Sequence, residues 1–119
     1  MKLVIADDDR TIRALLHDVL VDMGHEVVTA ENGAEAVEAC LRESPEAVIL
    51  DFLMPKLSGL DALRQIRASG SKVPVILLTA ISDSSLREVP GAEQPNAILE
   101  KPFRRKTIEK ALLRATGRE

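Results

Sequence analysis

Four short apolar runs in this chain each stop on a polar residue. Leu3-Val4-Ile5-Ala6 runs into Asp7-Asp8-Asp9, and Ala47-Val48-Ile49-Leu50 runs into Asp51. Val75-Ile76-Leu77-Leu78 ends on Thr79, and Ala97-Ile98-Leu99 ends on Glu100-Lys101. Unbroken runs of this length fit strands buried on both faces, which have no polar side to alternate with. Helical stripes lie between them. Ile12, Leu15, Leu16, Val19, Leu20 and Met23 recur at helical spacing, with Gly24 where a C-cap is wanted. Asn32 and Gly33 open a second helix carrying Val37, Cys40 and Leu41, which Pro45 closes. Leu60, Leu63 and Ile66 mark a third helix ending at Gly70, and Ile108, Ala111, Leu112 and Ala115 mark the final one.

With Val27-Val28-Thr29 as a further strand, five strands alternate with helices. That alternation predicts an α/β fold: one doubly wound five-stranded parallel sheet with helices on both faces. Right-handed crossovers leave few topologies, and the flavodoxin-like order 2-1-3-4-5 is the common one at this length. Strands 1 and 3 then flank the switch point, and a ligand belongs beyond their C-terminal ends. The 119 residues suit one domain, spanning 1–119. One connection departs from the rhythm: residues 81–96 contain Pro90, Gly91 and Pro95. Asp83 caps about two turns there, Pro90 stops them, and a short or irregular crossover helix is expected.

Several functions are disfavoured by composition. Net charge is −3 with the two signs interleaved, and Trp and Tyr are absent. Neither a basic footprint nor a base-stacking platform is present, so no nucleic acid is expected on this segment. No apolar run approaches the ~18 residues of a membrane span, and the N-terminus lacks the apolar core of a secretory signal. Cys40 stands alone and reads as an inert core thiol. A cytoplasmic address follows as the default. His17 and His25 read as solvent-facing, with no second ligand at helical spacing. Arg104-Arg105-Lys106 puts positive charge at a helix start, which is unfavourable by roughly 0.3–1 kcal/mol per residue and leaves room for a partner-facing role.

The strand ends carry the chemistry. The predicted topology brings Asp7, Asp8, Asp9 and Asp51 to one crevice, where carboxylates repel without a cation. Oxygen-only ligands suit a hard ion such as Mg2+, which takes few carboxylates and keeps waters. Thr79 adds a hydroxyl and Lys101 an ammonium at the same rim. Those are the parts needed to hold a phosphoryl group, with a carboxylate as covalent acceptor. Each has an ordinary alternative: Asp9 as the N-cap of the first helix, Thr79 as a strand threonine, Lys101 as a solvated lysine. The alternatives fail together, because they require polar groups to end four strands at one rim by chance.

These residues resemble the receiver domain of two-component response regulators across essentially the whole chain. The motifs are Ile5-Ala6-Asp7-Asp8-Asp9, Asp51-Phe52-Leu53-Met54-Pro55 with Gly59, Leu78-Thr79-Ala80 and Lys101-Pro102-Phe103. The resemblance implies that Asp51 accepts a phosphoryl group from a sensor histidine kinase or histidine phosphotransfer protein. It implies Mg2+ on Asp7, Asp8, Asp51 and the backbone carbonyl of Leu53, with Thr79 and Lys101 meeting the phosphoryl oxygens. A downstream effector protein or domain reads the change. Such a module is not an enzyme acting on other substrates; it catalyses only its own phosphotransfer and dephosphorylation. Ile98 occupies a position often aromatic in the family, and Pro90-Gly91 interrupts the crossover helix, so output coupling is expected to differ. A metal-dependent aspartyl phosphatase is disfavoured, since Leu53 stands where a general acid is required. The Lys101–Pro102 bond is expected to be cis, which for a prolyl bond costs only about 0.5–1 kcal/mol.

Overall fold

The computed structural model describes residues 1–80 and 94–118. Five strands, β1 (Lys2–Ala6), β2 (Glu26–Ala30), β3 (Ala47–Asp51), β4 (Val75–Thr79) and β5 (Ala97–Glu100), form one parallel sheet in the order β2-β1-β3-β4-β5. The described helices are α1 (Arg10–Asp22), α2 (Gly33–Glu43), α3 (Gly59–Ala68) and α4 (Arg105–Thr116). The fold class and strand order are those expected from the sequence. The expected crossover helix, with Asp83, Pro90 and Gly91, lies outside the described residues.

Alternate residues along each strand feed two separate cores. Leu3, Ile5, Ile49, Ile76, Leu78 and Leu99 pack on one face with Leu16 and Leu20 of α1 and Ile108 and Leu112 of α4. Val4, Val48, Leu50, Val75 and Leu77 face the other way, against Ala36, Ala39 and Cys40 of α2 and Leu63 and Ile66 of α3. Covering both faces is why the central strands are apolar at successive positions. No described helix is long and apolar enough to cross a membrane.

Helix ends follow local chemistry. The Asp9 carboxylate accepts from the Thr11 and Ile12 amides, Asn32 from Glu35, and the Ser58 hydroxyl from Asp61. Gly24 and Gly70 turn the chain out of α1 and α3 with φ of +96° and +93°, where a side chain would be strained. At the start of α4, Arg105 meets Asp22 at 2.6 Å, which offsets its unfavourable place beside the helix dipole.

Three expectations need correction. Leu15 is 51% exposed and Leu41 58% exposed, although both were assigned to helix stripes. Each helical residue turns about 100°, so Leu15 falls at the margin of the α1 stripe, and Leu41 is turned that far from Cys40 and further still from Ala36 and Ala39. Small alanines, not leucine, let α2 lie close to the sheet. His25 is half-buried, with Nδ1 3.1 Å from the Met1 amine, because the turn at Gly24 folds it under the strand starts. Burial lowers its pKa. Cys40 is buried as expected, and burial pushes its thiol up to about 12.

Candidate acidic site at the strand ends

β1 and β3 are neighbours, so their C-terminal ends deliver Asp7 and Asp51 side by side. Both are buried, at 1% and 5% exposure, while Asp8 is exposed. Carboxylate oxygens of Asp7, Asp8 and Asp51 all lie within 4.8 Å of one another, and among the described residues no other His, Cys, Asp or Glu triplet converges so. Thr79 ends β4, almost wholly buried. Lys101 follows β5, and its amide donates to the Thr79 carbonyl at 2.9 Å, which fixes the β5 end against the β4 end. The Lys101–Pro102 peptide is cis, as expected.

The site is internally compensated, but only in part. The Lys101 ammonium lies 3.2 Å from Asp51 Oδ1 and 3.4 Å from Asp7 Oδ2. Burial works to lower the lysine pKa, but the two carboxylates outweigh it and the net shift is upward. Burial, and then the Asp7 charge, push the Asp51 carboxyl up to about 6 despite the lysine. Asp7 Oδ1 accepts the Asp9 amide at 2.9 Å, whereas Oδ2 is buried without a hydrogen bond. A buried carboxylate oxygen without a hydrogen bond, beside two further carboxylates, fits a hard divalent cation as an additional partner.

The sequence-derived candidates Asp7, Asp8, Asp51, Thr79 and Lys101 therefore gather at one rim. Leu53 lies in the β3–α3 connection, two residues past Asp51, its side chain 66% exposed. Asp9 serves as the cap of α1. One residue that supports the site was not singled out from the sequence. Arg13 donates to the Asp7 carbonyl at 2.7 Å and approaches Glu31 at 3.7 Å, so it ties the first turn of α1 to the end of β1. Its place one turn after the Asp9 cap was the available signal. Gly59 packs against the end of β3; a Cβ there would fall 2.3 Å from the Asp51 carbonyl oxygen. Its amide donates to the Phe52 carbonyl at 3.0 Å.

A flavodoxin-like parallel sheet with three clustered carboxylates at its switch point defines the class: an α/β module with an acidic site at the strand ends. The chain belongs to the response regulator receiver domain family, whose model matches residues 3–113. It is similar to the response regulators MprA of Mycobacterium leprae, 38% identical over 98% of this chain, and of Mycobacterium avium, 37% identical over all of it. The chain spans about half the length of these relatives, 52% and 54% respectively. Among solved structures, the chemotaxis protein CheY4 of Vibrio cholerae superposes with a TM-score of 0.86 at 29% identity, covering 96% of this chain and 97% of its own. The receiver domain of sensor histidine kinase PA1611 from Pseudomonas aeruginosa gives 0.87 at 30% identity, covering 98% and 97%. That structure holds a magnesium ion in its active-site cleft. Receiver domains of this family are phosphorylated, Mg2+-dependent signalling modules of two-component systems.

Proposed function

We propose that residues 1–119 form one receiver domain that takes a phosphoryl group onto Asp51. The observation that carries this reading is the buried Asp51 carboxylate, 3.2 Å from Lys101 and beside the carboxylates of Asp7 and Asp8. The donor is a sensor histidine kinase or a histidine phosphotransfer protein. An Asp51 oxygen attacks phosphorus, the N–P bond of the donor phosphohistidine breaks, and the imidazole leaves with its electron pair. Asp7, Asp8, Asp51 and the Leu53 carbonyl are the groups that would hold Mg2+. When bound, the ion neutralises charge on the transferring phosphoryl oxygens. Lys101 exchanges its carboxylate contact for a phosphoryl oxygen, and the Thr79 hydroxyl approaches another.

Burial of Asp51 and Asp7 excludes bulk water, which strengthens each of these contacts. Apart from its own phosphorylation and hydrolysis the domain has no substrate in this reading. Its output is a protein–protein signal to a downstream effector, and a cytoplasmic address accords with it. The test is incubation with acetyl phosphate and Mg2+, followed by peptide mapping. A phosphoryl adduct on the peptide holding Asp51, lost in Asp51→Asn and in EDTA, is the expected outcome. Undiminished labelling in EDTA, or labelling elsewhere, refutes the assignment.

A further inference from the structure

The connection between β3 and α3 is held from below at a second point, distant in sequence. Gly33, the first residue of α2, faces the Leu57 backbone. A Cβ on Gly33 would lie 2.3 Å from the Leu57 carbonyl oxygen and 2.8 Å from the Leu57 Cβ. Such contacts are far inside van der Waals distance, and the nearest atom is backbone, so a side chain at 33 forces a displacement. Gly33 carries no positive φ that would demand glycine for its own conformation. Alanine is the better helix former, so the helix itself does not ask for glycine. The close approach of the connection does.

The α2 side cannot readily yield. Ala36 and Ala39 are packed into the core, and Asn32 anchors the first turn through its bond to the Glu35 amide. The connection can yield. Leu53, Pro55 and Lys56 are exposed, and Lys56 adopts a left-handed φ of 69° in a tight turn where the Leu57 amide donates to Pro55 at 2.7 Å. That turn rests on Gly33, while Gly59 seats the far end of the connection on Asp51. Leu53 lies between those two supports and β3.

We propose that Gly33 is a positioning residue for the Mg2+ site: its missing side chain lets residues 52–58 lie close to the carboxylates of Asp7, Asp8 and Asp51. The inference rests on the reading above, in which the Leu53 carbonyl joins those carboxylates around the ion. Gly33 touches neither ion nor phosphoryl group. It acts through the Leu57 backbone.

The experiment follows Mg2+ binding by amide NMR shifts in the whole chain, together with hydrogen exchange in metal-free protein. Supporting-residue substitutions commonly cost about 10- to 100-fold in metal affinity, and Gly33→Ala is expected to weaken Mg2+ binding by about tenfold or more. Without metal, it should speed exchange at the Leu57 and Gly59 amides while the amides of α2 stay protected. Gly24→Ala, strained by its positive φ but remote from the connection, controls for general destabilisation and should leave Mg2+ affinity unchanged. Should Gly33→Ala not fold, it is combined with Lys56→Gly, which relaxes the turn, and compared with Lys56→Gly alone; weaker Mg2+ binding in the pair is required. Absence of Mg2+ binding in the wild type would refute the metal site itself. Wild-type binding matched within twofold by the alanine variant, with unaltered exchange, overturns the role of Gly33 and leaves the site standing.

Discussion

The Lys101 ammonium stands 3.2 Å from Oδ1 of Asp51, and the same nitrogen lies 3.4 Å from Oδ2 of Asp7. One cation is thus shared between two buried carboxylates, and among the described residues it is the side chain paired with both. The lysine side chain is 25% exposed, so its worth lies between a surface pair and a fully buried one. Replacing Lys101 with Met should destabilise the metal-free domain by about 1–3 kcal/mol. Mg2+ should then restore more stability to the variant than it adds to the wild type, because the ion no longer meets a resident cation. Thermal unfolding in EDTA and in excess Mg2+ measures both. Equal Mg2+ stabilisation of the two proteins would show that Lys101 is not the internal counter-charge.

A pH dependence follows from Asp51. Its folded-state pKa of about 6 exceeds the ordinary 3.8, so between those values the folded chain binds more protons than the unfolded one. Stability of the metal-free protein therefore falls as pH rises through that window. The cost is complete above about pH 6 and vanishes below about pH 4. At about 1.4 kcal/mol per unit the cost reaches at most about 3 kcal/mol. Asp51→Asn, which removes the charge, should be the more stable protein in EDTA at pH 7.5, and its advantage should shrink steadily toward pH 4. Denaturant unfolding at several pH values checks it; an advantage constant with pH would place its origin elsewhere.

The third carboxylate differs in kind. Asp8 is exposed and caps no helix, and surface substitutions of that sort usually stay within about 0.5 kcal/mol. Asp8→Ala should leave the unfolding midpoint nearly unchanged while removing most Mg2+ binding and most phosphorylation by acetyl phosphate. A variant that still takes up phosphoryl groups at the wild-type rate would remove Asp8 from the site.

What the chain announces and what it conceals divide along physical lines. Strand ends were legible because a two-faced sheet demands apolar runs, and the polar residues that stop them mark one edge of it. Asp7, Asp51, Thr79 and Lys101 all emerged that way. Helix burial was less legible: Leu15 and Leu41 are apolar but exposed, and Ala36 and Ala39 carry the α2 contact with hardly any hydrophobic signal. Gly33 and Arg13 were the least legible. A glycine at a helix start and an arginine near one have many local explanations. Their roles appear only when residues distant in sequence, Leu57 in one case and Glu31 in the other, are brought against them.

The last prediction concerns how long the phosphoryl group survives. Hydrolysis of an aspartyl phosphate needs a water in line behind phosphorus, and the side chains that follow the acceptor border that approach. Leu53, two residues after Asp51, has an apolar side chain that offers no hydrogen bond to such a water. Ile81, two residues past Thr79, lies outside the described residues. Leu53 is 66% exposed, so exchanging it removes little core packing. Leu53→Asn should keep the chain folded while adding a group able to orient water. About 1.4 kcal/mol of transition-state stabilisation corresponds to tenfold in rate, the order contributed by one well-placed neutral hydrogen bond. The asparagine variant should therefore lose its phosphoryl group several- to tenfold faster than the wild type in excess Mg2+, with phosphorylation by acetyl phosphate and the unfolding midpoint both little changed. Decay followed by gel shift or intact-mass measurement reads the rate. Matched decay in the two proteins would mean that the apolar side chain at 53 does not set the lifetime.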